Sequence, residues 1–186
     1  MRWICFLLIS IFISGGLAAQ DKQAVKSAKK EAAQRKKVEK AMQAERQYKA
    51  MDSLLKGKKF VLEARFLKTR DGNRSTVSSI LNFISVDSLS ATIQVGTMQR
   101  AGYNGVGGYT VQGKIQSWKL ETDPGHKNFY LMMTVQGNRN TYDVSMNIDG
   151  SGYADATLTA LNSGRLTFEG NVVSKEETVI YKGQTR

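Results

Sequence analysis

Few residues in this chain could do covalent chemistry. There is one histidine, His126, and one cysteine, Cys5. A Cys–His nucleophile pair away from the N-terminus, or a multi-histidine zinc site, needs more than these, so both are excluded. His126 lies in "DPGHKN", a turn composition in which an imidazole is simply solvated. No G-x-S-x-G elbow occurs. Carboxylates are the remaining acid–base option. A hydrolase would need two of Glu63, Asp87, Asp143, Asp155 and Glu169 to converge in one cleft. Glu63 and Asp143 fall on outward strand faces, so the expectation is a non-enzyme with no cofactor.

Two near misses stand out. "GGYTVQGKI", Gly107 to Ile115, contains G-x-x-x-x-G-K from Gly108, one residue short of a phosphate loop. Such a loop needs Ser or Thr after the lysine and a helix leading away. Ile115 stands in the hydroxyl position, and Thr110 to Leu120 reads as a strand. The expectation is a strand and no nucleotide. "NIDGSGYAD" places Asn147, Asp149, Ser151 and Asp155 at ligand positions of a calcium loop. Leu158 occupies the place of the bidentate glutamate, and both flanks read as strands. A hairpin turn is expected, and no metal.

The remaining site candidates are aromatic. "AGYNGVGGY", Ala101 to Tyr109, has four glycines and two tyrosines. It reads as an irregular connection, with Tyr103 and Tyr109 as candidate ligand-binding residues at a barrel mouth.

The positioning elements follow from hydrophobic period. Asp21 to Leu55 lacks Pro and Gly, is rich in Ala, Lys, Gln and Glu, and reads as a helix. Ala41, Ala44, Tyr48, Met51 and Leu55 make one apolar stripe, so the second half is expected to dock. Gly57 is the expected stop. After it the period becomes two. Phe60, Leu62, Ala64 and Phe66 alternate with Val61, Glu63 and Arg65. Similar alternation marks Ala91–Val95, Phe129–Val135, Tyr142–Ile148, Ala154–Ala160 and Leu166–Val172. Adding Ile80–Val86 and Val111–Leu120 gives about eight strands. One wet face per strand and short hairpin turns predict an antiparallel meander behind an N-terminal helix. Such a sheet closes into a lipocalin-like barrel, or nearly so, or splits into a sandwich. Phe60, Phe66, Phe129, Tyr142 and Phe168 are the bulky residues expected inside. "ETVIY" in the tail could add an edge strand.

The N-terminal "MRWICFLLISIFISGGLAAQ" has a basic start, a short apolar run and small residues, the layout of a secretory signal peptide. Cleavage after Ala18 or Ala19 fits, with Ala19 preferred. Cys5 sits at the front of the apolar run rather than at the cleavage point, so a lipoprotein is not expected. The expected organisation is a signal peptide at 1–19, a basic helix at 20–56, a β domain at 57–174 and a polar tail at 175–186.

The chain carries 27 Lys and Arg against 16 Asp and Glu. The density is highest between Lys22 and Lys49, with ten basic and three acidic residues. In an exported protein such charge points to an anionic membrane surface or lipopolysaccharide rather than nucleic acid.

Three stretches carry a resemblance: "KKFVLEARF", "GGYTVQGKI" and "YDVSMNIDGSGYADATLTALNSGRLTFEGNV". Together they resemble the domain-of-unknown-function family 4251, over about Arg35 to Val173. Its members are small exported proteins of Gram-negative bacteria with a charged helical lead-in. The resemblance implies a periplasmic or cell-envelope protein and implies no activity. The functional expectation is a non-enzymatic binding or scaffold module. The alternatives are peripheral docking through the basic helix and, behind it, an uncharacterised hydrolase.

Overall fold

The computed structural model describes residues 17–97, 105–160 and 164–185. Helix α1 is Leu17–Gly57. Nine strands follow: β1 (Lys59–Thr69), β2 (Arg74–Thr76), β3 (Phe83–Asp87), β4 (Ser90–Val95), β5 (Tyr109–Asp123), β6 (Asn128–Gln136), β7 (Thr141–Asp149), β8 (Tyr153–Ala160) and β9 (Gly164–Ser174). Of the expected signal peptide, 1–16 lies outside the described residues, and Leu17 onward is already helical.

All pairings are antiparallel, and neighbours in the sheet follow chain order from β3 to β9. β9 then pairs with β1 along nearly its whole length, from Phe60↔Ser174 to Thr69↔Leu166. This closure makes an eight-stranded barrel of β1 and β3–β9, with β2 as a short extra strand on β1. Closing the sheet removes the unpaired edges that a meander would otherwise expose.

Alternation puts Phe60, Leu62, Ile84, Ile93, Phe129, Leu131, Met133, Val144, Met146, Ile148, Leu158 and Phe168 in one core. Phe60, Phe129 and Phe168 have no exposed surface, so side chains fill most of the barrel. Two expected interior aromatics behave otherwise. A bulge between Ala64 and Phe66 reverses the in–out phase of β1, so Leu67 packs against the core and Phe66 turns outward. There the Arg74 guanidinium lies 3.4 Å over the Phe66 ring and donates from Nε to Glu169 Oε2 at 2.7 Å. Tyr142 keeps its inward phase but is only half-buried, at one end of the barrel. A second bulge, between Ile115 and Ser117 of β5, brings Trp118 and Leu120 inward in the same way.

The chain divides into two units, meeting in α1 between Gln43 and Ala44. In the first, every side chain from Ala28 to Gln43 is exposed, including Ala41, which was expected to dock. In the second, the apolar stripe narrows to Tyr48, Met51 and Leu55. These join the cluster of Phe60, Phe129, Ile148, Ala154 and Val172, and so plug one end of the barrel. Burying side chains of this size contributes about 1.5–3 kcal/mol each. Lys127 Nζ donates to Glu45 Oε2 at 2.8 Å beside this contact. Gly57 is not the left-handed stop. That conformation falls on Lys58, at φ 52°. Its side chain sits 4.8 Å from the Trp118 ring centroid, and its carbonyl accepts from Ser88 N at 2.7 Å. Tertiary contacts thus fix a turn that propensity alone would give to glycine.

"ETVIY" does not form a strand. The tail crosses the outer face of β1, β3, β4 and β5 as a strap. Thr178 Oγ1 donates to Glu63, Tyr181 N to the Ile80 carbonyl at 3.0 Å, and Lys182 Nζ to Gln112 Oε1 at 2.6 Å. Gln94, outward by phase, is fully buried beneath it. Its Nε2 donates to the carbonyls of Leu81 and Tyr181, and its Oε1 accepts from Thr110 Oγ1 and Gly183 N.

Candidate functional site

In a meander, alternate turns share a barrel end. The α1 plug takes the end where β1 begins and β7 finishes. The other end gathers the turn after β1, the start of β5, the β6–β7 turn, the end of β8 and the start of β9. It holds a cleft of about 880 Å³, within the usual range of about 300–1,000 Å³ for small-molecule sites. Its floor is apolar: Val111, Tyr142, Leu158, Ala160 and Leu166. All are inward-phase residues of β5, β7, β8 and β9: Leu158 belongs to the packed core, and Val111, Tyr142 and Leu166 pack against it. Its rim is polar and carries Arg70, Arg139 and Arg165 against one carboxylate, Asp71. Among the described residues, none of the three arginines forms an ion pair.

Of the two tyrosines singled out in the sequence, Tyr109 lines this cleft. Desolvation there, and then the neighbouring Tyr142, push its hydroxyl up to about 12, so it stays a neutral donor and acceptor across physiological pH. Tyr103 lies outside the described residues.

The phosphate-loop look-alike is strand β5 and the residue before it. Gly108 and Gly113 are glycines because neighbouring backbone crowds them. A Cβ on Gly113 would stand 2.7 Å from the carbonyl carbon of Gln136 on β6, and one on Gly108 would stand 2.8 Å from that of Val95 on β4. No helix follows.

The calcium look-alike is the β7–β8 hairpin. Asp149 Oδ1 accepts from Ser151 N at 2.8 Å, Ser151 Oγ at 2.6 Å and Tyr153 N at 3.0 Å, and so is committed to the turn. Gly152 takes φ 93° in the same turn. Asn147 and Asp155 are ladder partners on the outer face.

The five candidate carboxylates scatter. Glu63 accepts from Thr178, Asp87 pairs with Lys175, and Asp143 accepts from Thr134 Oγ1 at 2.8 Å. Only Asp155 and Glu169 stand together, as register partners on β8 and β9. Burial and then the Glu169 charge raise Asp155 above its ordinary value, while Arg74 pairs with Glu169. This pair faces outward and does not line the cleft. His126 Nδ1 bonds Asp123 Oδ2 at 2.8 Å within its own turn.

The rim arginines were not singled out in the sequence. The signal that could have found them is strand parity. Counting the meander puts Arg70 and Arg139 in turns, and Arg165 at the start of a strand, all at one end.

Barrel, plug and cleft together define a class: a small helix-capped antiparallel β-barrel with one open mouth. More particularly, the chain belongs to the domain-of-unknown-function family DUF4251, whose model matches residues 42–172. The match begins at Met42, within the helix and just ahead of its docked part. The fold is similar to the crystal structure of a DUF4251 family protein from Bacteroides eggerthii, with a TM-score of 0.60 and 29% identity. That similarity covers 71% of this chain and 90% of the other. A comparison with curated proteins finds no match.

Proposed function

We propose that the protein is a non-enzymatic binding module of the periplasm or cell envelope, taking a small molecule in the open end of its barrel. One observation carries the reading: the barrel is packed and plugged from one end, yet an apolar-floored cleft of about 880 Å³ remains at the other. Fixed polar groups over an apolar floor are what a small-ligand site needs. Among the described residues no carboxylate pair converges in the cleft lining, which favours binding over hydrolysis. The leader-like sequence of Met1–Ala19 supports export. Native mass spectrometry of gently purified protein, with Nile red as an uncharged reporter, tests the binding reading. A co-purifying small molecule, or Nile red binding that Leu166→Trp blocks by filling the cleft, is the expected result. No ligand and no reporter binding would reject it.

A second reading concerns the basic helix. From Ala28 to Gln43 every side chain is exposed, including Val38 and Met42 at 50% and 53%. This stretch would hold an anionic membrane surface electrostatically, at about 1 kcal/mol per basic residue near the surface. Cosedimentation with anionic vesicles at low salt, lost on replacing Lys29, Lys30, Lys36 and Lys37 by Gln, would support it. Equal sedimentation of both proteins would reject it.

A further inference from the structure

The charge and polarity of the cleft are arranged in layers, and the layers select a ligand class. The deepest residues, Leu158 and Ala160, are nearly buried, and half-buried Val111, Tyr142 and Leu166 complete the floor without an ionisable acid or base other than the phenol. Arg70, Arg139 and Arg165 lie only at the rim, all three exposed. Arg70 and Arg139 come from two turns and Arg165 from the start of β9, and they face a single carboxylate, Asp71. Three guanidinium groups around one mouth, with no ion pair among the described residues, leave an excess of positive charge where a ligand must enter. A guanidinium fork suits a carboxylate or a phosphate. The floor suits a hydrocarbon.

We infer that the cleft takes an anionic amphiphile, its carboxylate or phosphate head held by Arg139 and Arg165 with Arg70 at the entrance, and its hydrocarbon tail against Leu158 and Leu166. This rests on the binding reading above and adds a sign and a shape to it. A cationic head of equal length meets the arginine rim and is rejected. A neutral head gains the floor but not the rim. Asn138 and Asn140 flank Arg139 and supply neutral donors on the same turn. Tyr109, at the rim of the floor, offers a hydroxyl to the head group.

The test is displacement of Nile red from the full-length protein by four twelve-carbon amphiphiles, each below its micellar concentration. They are laurate, monododecyl phosphate, dodecyl maltoside and dodecyltrimethylammonium. The expected result is displacement by laurate or dodecyl phosphate at concentrations at least tenfold lower than by the maltoside, and none by the cation. Which of the two anions competes better separates a fatty-acid source from a phospholipid one. Arg139→Gln and Arg165→Gln should each weaken the anion about tenfold or more, the usual effect of losing a charge-assisted hydrogen bond, while leaving Nile red affinity unchanged. Raising the salt should weaken the anion alone. If Nile red binds but the maltoside or the cation competes as well as the anions, the anionic head is refuted and the binding reading stands. If Nile red does not bind, the co-purifying molecule decides: if there is none, both fall together, and if it is neutral or cationic, the anionic head alone is refuted. Unchanged Nile red binding in the variants shows that they fold.

Discussion

Tyr48 of α1 stacks on Phe129 of β6, with ring centroids 4.8 Å apart and planes 18° from parallel. This contact joins the last turns of the helix to the plugged end of the barrel, next to Met51 and Leu55. Tyr48→Ala should cost about 2–3 kcal/mol: burial, plus about 0.5–1.5 kcal/mol for the ring pair itself. Leu55→Ala, at a site with no exposed surface, should cost about 2–5 kcal/mol. Denaturant unfolding would measure both. Values near zero would mean that the helix end is not part of the folded barrel.

The two glycine-flanked readings of β5 separate by mutation. Gly113→Ala pushes a Cβ against the Gln136 backbone and within 2.9 Å of Val135 Cγ1, so it should cost about 1–3 kcal/mol or more. Lys114→Ala changes an exposed side chain and should stay within about 0.5 kcal/mol. A nucleotide site would show the reverse importance, with Lys114 essential to ATP binding and stability unaffected. Thermal unfolding with and without ATP distinguishes them.

Gln94 holds the tail strap by side-chain bonds to Tyr181 and Gly183. Gln94→Ala removes a fully buried side chain together with its hydrogen bonds to Leu81, Tyr181 and Gly183, at a cost of about 2–4 kcal/mol. Amide exchange of residues 178–183 should rise more than that of β6 or β7. Unchanged protection of the tail would show that apolar contacts alone seat it.

Acid should destabilise the fold. Glu45 is held below its usual 4.5 by the Lys127 hydrogen bond and then its charge, and Asp87 below 3.8 by Lys175 in the same way. Asp123 is lowered by His126. A depressed carboxylate stabilises the native state above its unfolded pKa, and that contribution is lost as pH falls through the folded value. Asp155 has the opposite sign: raised by burial and Glu169, it disfavours the native state once ionised. Melting temperatures from pH 7 to pH 3 should therefore fall, less steeply in Glu45→Gln. Asp155→Asn should raise the melting temperature at pH 7 and leave it unchanged at pH 3. A fall on that substitution at pH 7 would contradict the assigned sign.

Much of the architecture was legible because period-two alternation is a local signal. Tyr142–Ile148 and Ala154–Ala160 appear as strands with the inward residues expected, since a hairpin fixes register from the turn outward. The turn chemistry of Asp149 was equally local. What periodicity could not show was a bulge: one extra residue near Arg65 turned Phe66 outward and Leu67 inward without altering composition. Nor could it show that Gln94 and Val61, polar-phase positions, would be buried: the tail groups that bond Gln94 lie 87 and 89 residues along the chain.

The sequence by itself determined a helix, an antiparallel meander and a β domain with one histidine and no cysteine, since each depends on residue types and near neighbours. Only the tertiary structure decided that β9 closes on β1, that Tyr48, Met51 and Leu55 plug one end, and that Arg70, Arg139 and Arg165 surround the other. The physical reason is range. Turns and alternation are set over a few bonds, whereas closure sets which distant turns share an end, and that juxtaposition is what makes a cleft from three arginines scattered along the chain.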